Sequence, residues 1–176
     1  MVMKTQGSDL YVLVPAEGTG DPTILRVNCV TDITGVGAGT ADQVETTCLS
    51  ELTDRTYVGG LSSPGQVTSS TNYDVNDASL DELQALRDSR ANTQFYVGFS
   101  DGSVAGTDPD ARPRPTVGGG GTVTFPTTRS FVEFTGYVAE FGMDFAANNV
   151  VKSPITIQRS GSVVIHKATT PLNPQS

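Results

Sequence analysis

Few residues of this 176-residue chain stand at spacings that perform chemistry. His166 is the only histidine, so any Ser–His–Asp arrangement must use it. It lies in Val163-Val164-Ile165-His166-Lys167, no GxSxG elbow occurs in the chain, and a strand-end or exposed histidine is the expected reading. Cys29 and Cys48 are too few and too far apart for a disulfide framework, a CxxC redox pair or, with one histidine, a zinc site. Both read as small core residues, with a single disulfide as the other option. Asp74-Val75-Asn76-Asp77-Ala78 begins like a calcium loop, but Ala78 stands at the third ligand position and the glycine is missing, which leaves a turn leading into a helix. Gly35-Val36-Gly37-Ala38-Gly39 lacks the dinucleotide spacing and has no helix behind it, and Gly118–Gly121 is not followed by Lys-Ser or Lys-Thr, so neither cradles phosphate. Paired carboxylates for glycoside hydrolysis would lack a tryptophan platform for the sugar. No catalytic residue, metal or cofactor is expected.

The elements that position these residues are mostly strands. Runs rich in β-branched and aromatic residues, bounded by Gly, Pro, Asp or Ser, cover residues 10–14, 24–30, 43–49, 67–75, 93–99, 130–143, 150–158 and 162–166. One helix is expected, with Ser79 as cap and Glu82 at the capping-box spacing. Leu80, Leu83, Ala85 and Leu86 form its apolar stripe to about Arg90.

Alternation within the strands divides them into two faces. Gln43, Glu45 and Thr47 oppose Val44, Thr46 and Cys48. Thr68, Ser70, Asn72 and Asp74 oppose Val67, Tyr73 and Val75, while Gln94 and Tyr96 oppose Phe95, Val97 and Phe99. In the strand from Ser130, Glu133 and Thr135 oppose Val132 and Phe134 until Gly136, after which Tyr137, Ala139, Phe141 and Met143 make the polar side apolar. A bulge near Gly136 is expected there. The strands thus share a wet face of short polar and acidic groups with almost no Lys or Arg.

Composition agrees with a turn-rich β protein: 36% hydrophobic, 17% charged, 19 Gly, 10 Pro, no Trp. The length suits one domain over residues 1–176. The net charge of −8 excludes a protein that grips nucleic acid through a basic footprint. Residues 1–110 hold sixteen acids against five bases and residues 111–176 three against six, a polarity suited to copies docking on one another. No apolar run approaches the ~20 residues of a membrane span, and the start lacks the apolar stretch of a secretory signal, so synthesis in the cytoplasm is expected. Two long connections stand out. Residues 50–66 read as a mobile arm that orders on contact, and 101–129, Pro- and Gly-rich, as a flexible excursion with a short strand at 122–125. Residues 167–176 read as a loose end or an arm laid on a neighbour.

The order of features resembles a known family. Gly20-Asp21-Pro22, then Asp32-Ile33-Thr34-Gly35, a polar strand Val44-Glu45-Thr46-Thr47-Cys48 and a long loop ending Pro64-Gly65-Gln66 precede the single helix. Phe99-Ser100-Asp101-Gly102, Phe134-Thr135-Gly136-Tyr137-Val138 and a last paired strand to Arg159 follow it. This is similar to the major tail tube proteins of long-tailed, non-contractile bacteriophages, related in fold to contractile tail tubes and the type VI secretion tube; the resemblance covers about residues 8–166.

The resemblance implies a mainly β, antiparallel β-sandwich or barrel-like fold with one flanking α-helix and long inter-strand loops, in rings of six stacked into a hollow virion tail tube. Hairpins of neighbouring subunits would pair edge to edge, which removes exposed strand edges. The wet face would line the lumen through Gln43, Glu45, Thr47, Ser70, Asn72, Asp74, Gln94, Glu133 and Thr135, letting double-stranded DNA slide without being held. Residues 50–66 would be the inter-ring loop, with Asp54, Arg55 and Tyr57 as contacts. Partners would be copies of the chain, tail tip or initiator, tape measure and tail terminator proteins, with no cofactor and no membrane anchoring. Residues 101–129 exceed the tight turn expected of the family. Rival readings are a β-sandwich surface adhesin and a small hydrolase.

Overall fold

A computed structural model describes residues 5–16, 20–102 and 108–170. Seven strands form one antiparallel sheet: β1 (Asp9–Val14), β2 (Thr23–Val27), β3 (Val30–Thr34), β6 (Gln66–Asn72), β7 (Thr93–Gly98), β10 (Phe131–Phe141) and β11 (Lys152–His166), in the order β2-β1-β7-β10-β11-β6-β3. Two hairpins stand apart, β4 (Gly39–Glu45) with β5 (Tyr57–Pro64), and the short β8 (Thr116–Val117) with β9 (Val123–Thr124).

Strands β2 and β3 occupy opposite edges of the sheet, yet only Asn28 and Cys29 separate them in the chain. The sheet therefore curls until its edges meet, giving the antiparallel, barrel-like fold with one flanking helix. The expected strand 24–30 breaks here because Cys29 takes a left-handed φ of 50°. Cys29 and Cys48 are both exposed free thiols, against the expectation of core residues: one sits in this turn, the other in a loop. Strands β10 and β11 carry the curl. Their register shifts at Glu133/Thr135 and at Val138/Glu140, on either side of Gly136. A Cβ on Gly136 would stand 2.5 Å from the Gln158 carbonyl oxygen, so the backbones close up where only glycine fits. Expected strands 150–158 and 162–166 are one strand, bent at Gly161 (φ 81°).

Helix α1 (Ala78–Ser89) buries Leu80, Leu83 and Leu86 against Val67, Phe95, Phe134, Ile155 and Ile157 of the sheet. Each such leucine contributes about 1.5–3 kcal/mol of burial. Its cap is Asp77, not Ser79: Asp77 Oδ1 accepts from the Ser79 amide (2.9 Å), the Ser79 hydroxyl (2.8 Å) and Asn28 Nδ2 (3.1 Å). With the cap two residues earlier, Glu82 no longer stands at the capping-box position.

On the other face a small aromatic cluster of Tyr11, Tyr96 and Phe131 lies beneath Val123 and Phe125. Residues 108–129 of the expected excursion thus belong to the fold, their hairpin lying back over the sheet, while 103–107 lie outside the described residues. Arg129 pins the 108–129 segment. Fully buried, this guanidinium donates to Phe99 O (2.7 Å), Tyr11 Oη (2.9 Å), Pro113 O (3.2 Å), Gly7 O (3.0 Å) and Asp9 Oδ2 (2.8 Å), so all five N–H groups have partners. Asp9 also meets Arg112 at 3.1 Å, and the Asp101 carboxylate accepts from the Ser130 amide.

Candidate functional site: an exposed ribbon and a polar sheet face

The β4–β5 hairpin leaves the sheet as a two-stranded ribbon. Its base is tied down where Gln158 Nε2 donates to Pro64 O (3.2 Å), Arg159 Nη2 to Ala38 O (2.6 Å) and the Gly65 amide to Ala38 O (3.0 Å). Beyond the base every residue of β4 and all of β5 up to Ser63 are exposed on both faces. The ladder continues past the strand ends, from the Thr46 amide to Thr56 O (2.9 Å) and from the Thr56 amide to Thr47 Oγ1 (3.0 Å). At the tip the Glu51 carboxylate accepts from Thr53 and Leu52, and those bonds hold it below its ordinary carboxyl value. Residues 57–64 of the expected mobile arm are therefore strand: Tyr57 pairs with Glu45, while Asp54 and Arg55 sit in the tip, Arg55 Nε 3.9 Å from Glu45. Val44, Tyr57, Val58, Leu61, Leu49 and Leu52 all face solvent, the last two completely.

The nine residues of the expected wet face fall into three groups. Ser70, Asn72, Gln94, Glu133 and Thr135 share the face of the main sheet turned away from α1, where Gln94 is the cross-strand partner of Thr135. Gln43, Glu45 and Thr47 belong to the ribbon instead. Asp74 is not on a strand: its carboxylate accepts from the Asn76 amide (3.0 Å) in the turn before the helix.

Within the first group, the aromatic hairpin β8–β9 changes the chemistry. Glu133 Oε2 is 2.7 Å from His166 Nε2, and the Phe125 ring stacks on that imidazole with centroids 3.9 Å apart. Gln94 Oε1 accepts from the Tyr96 hydroxyl (2.7 Å), and burial, with Glu133 as second cause, raises the Tyr96 phenol well above its ordinary value. These polar groups are occupied by partners from their own chain. The freer part of the face lies on β3 and β6, where Thr34 and Thr68 join hydroxyls at 2.6 Å beside Ser70 and exposed Asp32. Thr68 belongs with Ser70 in the alternation read from the sequence, whereas Asp32 and Thr34 were missed because the chain break at Cys29 hides their strand.

Among the described residues no group of three or more His, Cys, Asp or Glu gathers to hold a metal ion, and no helix is long and apolar enough to cross a membrane. Residues 168–170 of the expected C-terminal arm are anchored at home, the Ala168 amide on Ser130 Oγ (2.9 Å) and the Thr169 amide on Thr127 O (2.9 Å). Residues 171–176 lie outside the described residues.

The fold matches the SPP1 tail tube with a TM-score of 0.61 at 9% identity, over 94% of this chain and 80% of that one. It matches a subunit in the tail of an empty GTA particle at 0.59 and 10%, over 94% and 99%. In sequence the chain is 37% identical over 171 residues to "Structural protein 3" of Pseudomonas phage PAJU2, covering 96% of both. Residues 1–169 match the family described as phage tail tube, TTP, lambda-like, and the chain belongs to that family. It is a structural component of the virion tail.

Proposed function

We propose that the protein assembles as six-membered rings stacked into a hollow tube through which phage DNA passes into the host. The ribbon carries this reading. An isolated two-stranded hairpin is at best marginally stable in water, and this one exposes six large apolar side chains on a backbone with both edges unpaired. Association with neighbouring copies covers those side chains and pairs those edges together. The GTA tail relative was resolved with C6 symmetry, which supports six copies per ring. Another similar structure, at a TM-score of 0.57 and 13% identity, is a tube-terminating cap, which supports a terminator protein as partner beside tail tip and tape measure proteins. Gln43, Glu45 and Thr47 on the ribbon, with Ser70, Asn72 and Thr135 on the sheet, are the lumen candidates, because short polar and acidic groups add no phosphate contact to slow the DNA. Gln94 and Glu133, bound to Tyr96 and His166, are the weaker members, and Asp74 sits in a turn.

Negative-stain electron microscopy of the purified protein over a rising concentration series tests the proposal. Stacked rings with an open lumen are expected. Protein that stays monomeric at every concentration, with and without a tail initiator complex, rejects it.

A further inference from the structure

The ribbon of one copy needs something to land on, and the same chain offers a matching surface at the far end of β6. Strand β6 begins at Gln66 beside the ribbon base and ends at Asn72, with β11 alongside from Gln158 to Lys152. Seven residues at about 3.4 Å each put some 20 Å between the two ends. At the Asn72 end a cleft of about 800 Å³ opens between the β2–β3 turn, the segment from Asn72 to Ser79 and the segment from Pro109 to Arg114.

Most charges lining the cleft are committed: Asp9 to Arg112, Asp110 to Arg26 (2.8 Å) and Asp77 to the helix cap. Two are not. Arg114 and Asp74 are exposed and have no ion-pair partner among the described residues. Val75, between two residues that line the cleft, is 77% exposed. The neighbouring β10–β11 turn, joined to this segment by the Tyr73 amide on Val151 O (2.9 Å), exposes Phe145, Met143 and Val150. The ribbon tip has the complementary set: Leu49 and Leu52 exposed and, among the described residues, Asp54 without an ion-pair partner and Arg55 with a loose 3.9 Å contact to Glu45 alone.

We propose that the ribbon tip of one copy docks into this cleft on the next, Asp54 meeting Arg114, Arg55 meeting Asp74, and Leu49 and Leu52 covering Val75 and Phe145. The proposal rests on the tube reading and names its acceptor surface. The contact joins two different patches at opposite ends of β6, so it is head-to-tail, the class of contact that can propagate from ring to ring along a stack. Both charge pairs run in the matching sense, which sets register as well as attraction.

The test is charge reversal in the full chain, read as tube length by electron microscopy and as sedimentation. Arg114→Glu alone and Asp54→Arg alone are each expected to reduce tube formation at least tenfold, and the double variant to restore it. Both positions are exposed, so unchanged circular dichroism and melting temperature show that folding is intact. Single variants that form tubes like the parent, or a double variant no better than either single one, overturn the proposed docking while leaving the tube reading standing. A parent protein that forms no tubes overturns both.

Discussion

Removing Arg129 tests whether one buried side chain holds the 108–129 segment on the sheet. Arg129→Ala leaves the carbonyls of Phe99, Gly7 and Pro113 without this donor and takes one cation from Asp9. Deleting one partner of a buried ion pair costs about 3–5 kcal/mol. Asp9 keeps Arg112 at 3.1 Å and Arg26 at 3.9 Å, which pulls the figure down. The stranded carbonyls, at about 1–3 kcal/mol each where water does not reach them, push it up. We expect about 4 kcal/mol, a large part of the roughly 5–15 kcal/mol that holds a domain folded. At about 2–4 °C per kcal/mol for a chain of this size, the melting temperature falls by about 8–16 °C. Gly98 gives the internal control. A Cβ there would stand 2.7 Å from Arg129 Cζ and 2.8 Å from Nη2, so Gly98→Ala overpacks the guanidinium for about 1–3 kcal/mol in the parent protein. In the R129A background those atoms are gone and the same substitution should cost almost nothing. The assay is urea unfolding of monomeric protein at low concentration, because assembly would add concentration-dependent stability. Should R129A not fold at 25 °C, Arg129→Lys, which keeps the charge but loses the fork, takes its place and is expected to show part of the loss. A melting temperature within 2 °C of the parent, or additive effects of Gly98→Ala and R129A, would refute the pinning role.

Two further expectations follow from the site. Replacing Gln43 and Glu45 with Lys should leave the melting temperature nearly unchanged, since both are exposed, while particles carrying the variant deliver DNA more slowly; unchanged delivery would remove these residues from the lumen. Stability should also fall as pH rises above about 10. The unfolded chain's phenols ionise there, whereas Tyr96, its value raised chiefly by burial, stays protonated in the folded state. The contribution is thus whole below pH 10 and lost above it, by up to about 1.4 kcal/mol per pH unit for one group. Urea unfolding at pH 9, 10 and 11 should show a shallower decline in Tyr96→Phe, and equal slopes would count against the assignment.

Local pattern made the strands and the helix legible. Period-two alternation separated core from polar side along residues 67–72, at Gln94 against Phe95 and along 132–135; it failed at Tyr96, which is buried, and at Asp74 and Val75, which lie beyond the end of β6 with Val75 exposed. Gly136 announced the irregularity in β10, since a missing side chain marks a close approach of backbones. The helix was found but its cap was misplaced by two residues. Asp77 and Ser79 are both good caps by type, and it was Asn28, far off in sequence, that gave Asp77 its extra partner.

By itself the sequence determined the β class, the single helix, the scarcity of cations on the polar face and, through the order of its small motifs, the family. These are local or compositional properties that survive in one dimension. Only the tertiary structure decided which alternating strand belongs to which surface. Gln43 and Ser70 carry the same local signal, yet one stands on a ribbon exposed on both sides and the other on a sheet with a core behind it. It also decided that Arg129, unremarkable in a Pro- and Gly-rich stretch, is fully buried among Asp9, Tyr11 and Phe99. The physical reason is the same in both cases. Burial and polar pairing depend on partners that the curl of the sheet brings together from as many as 122 positions away in the chain, and no local pattern records them.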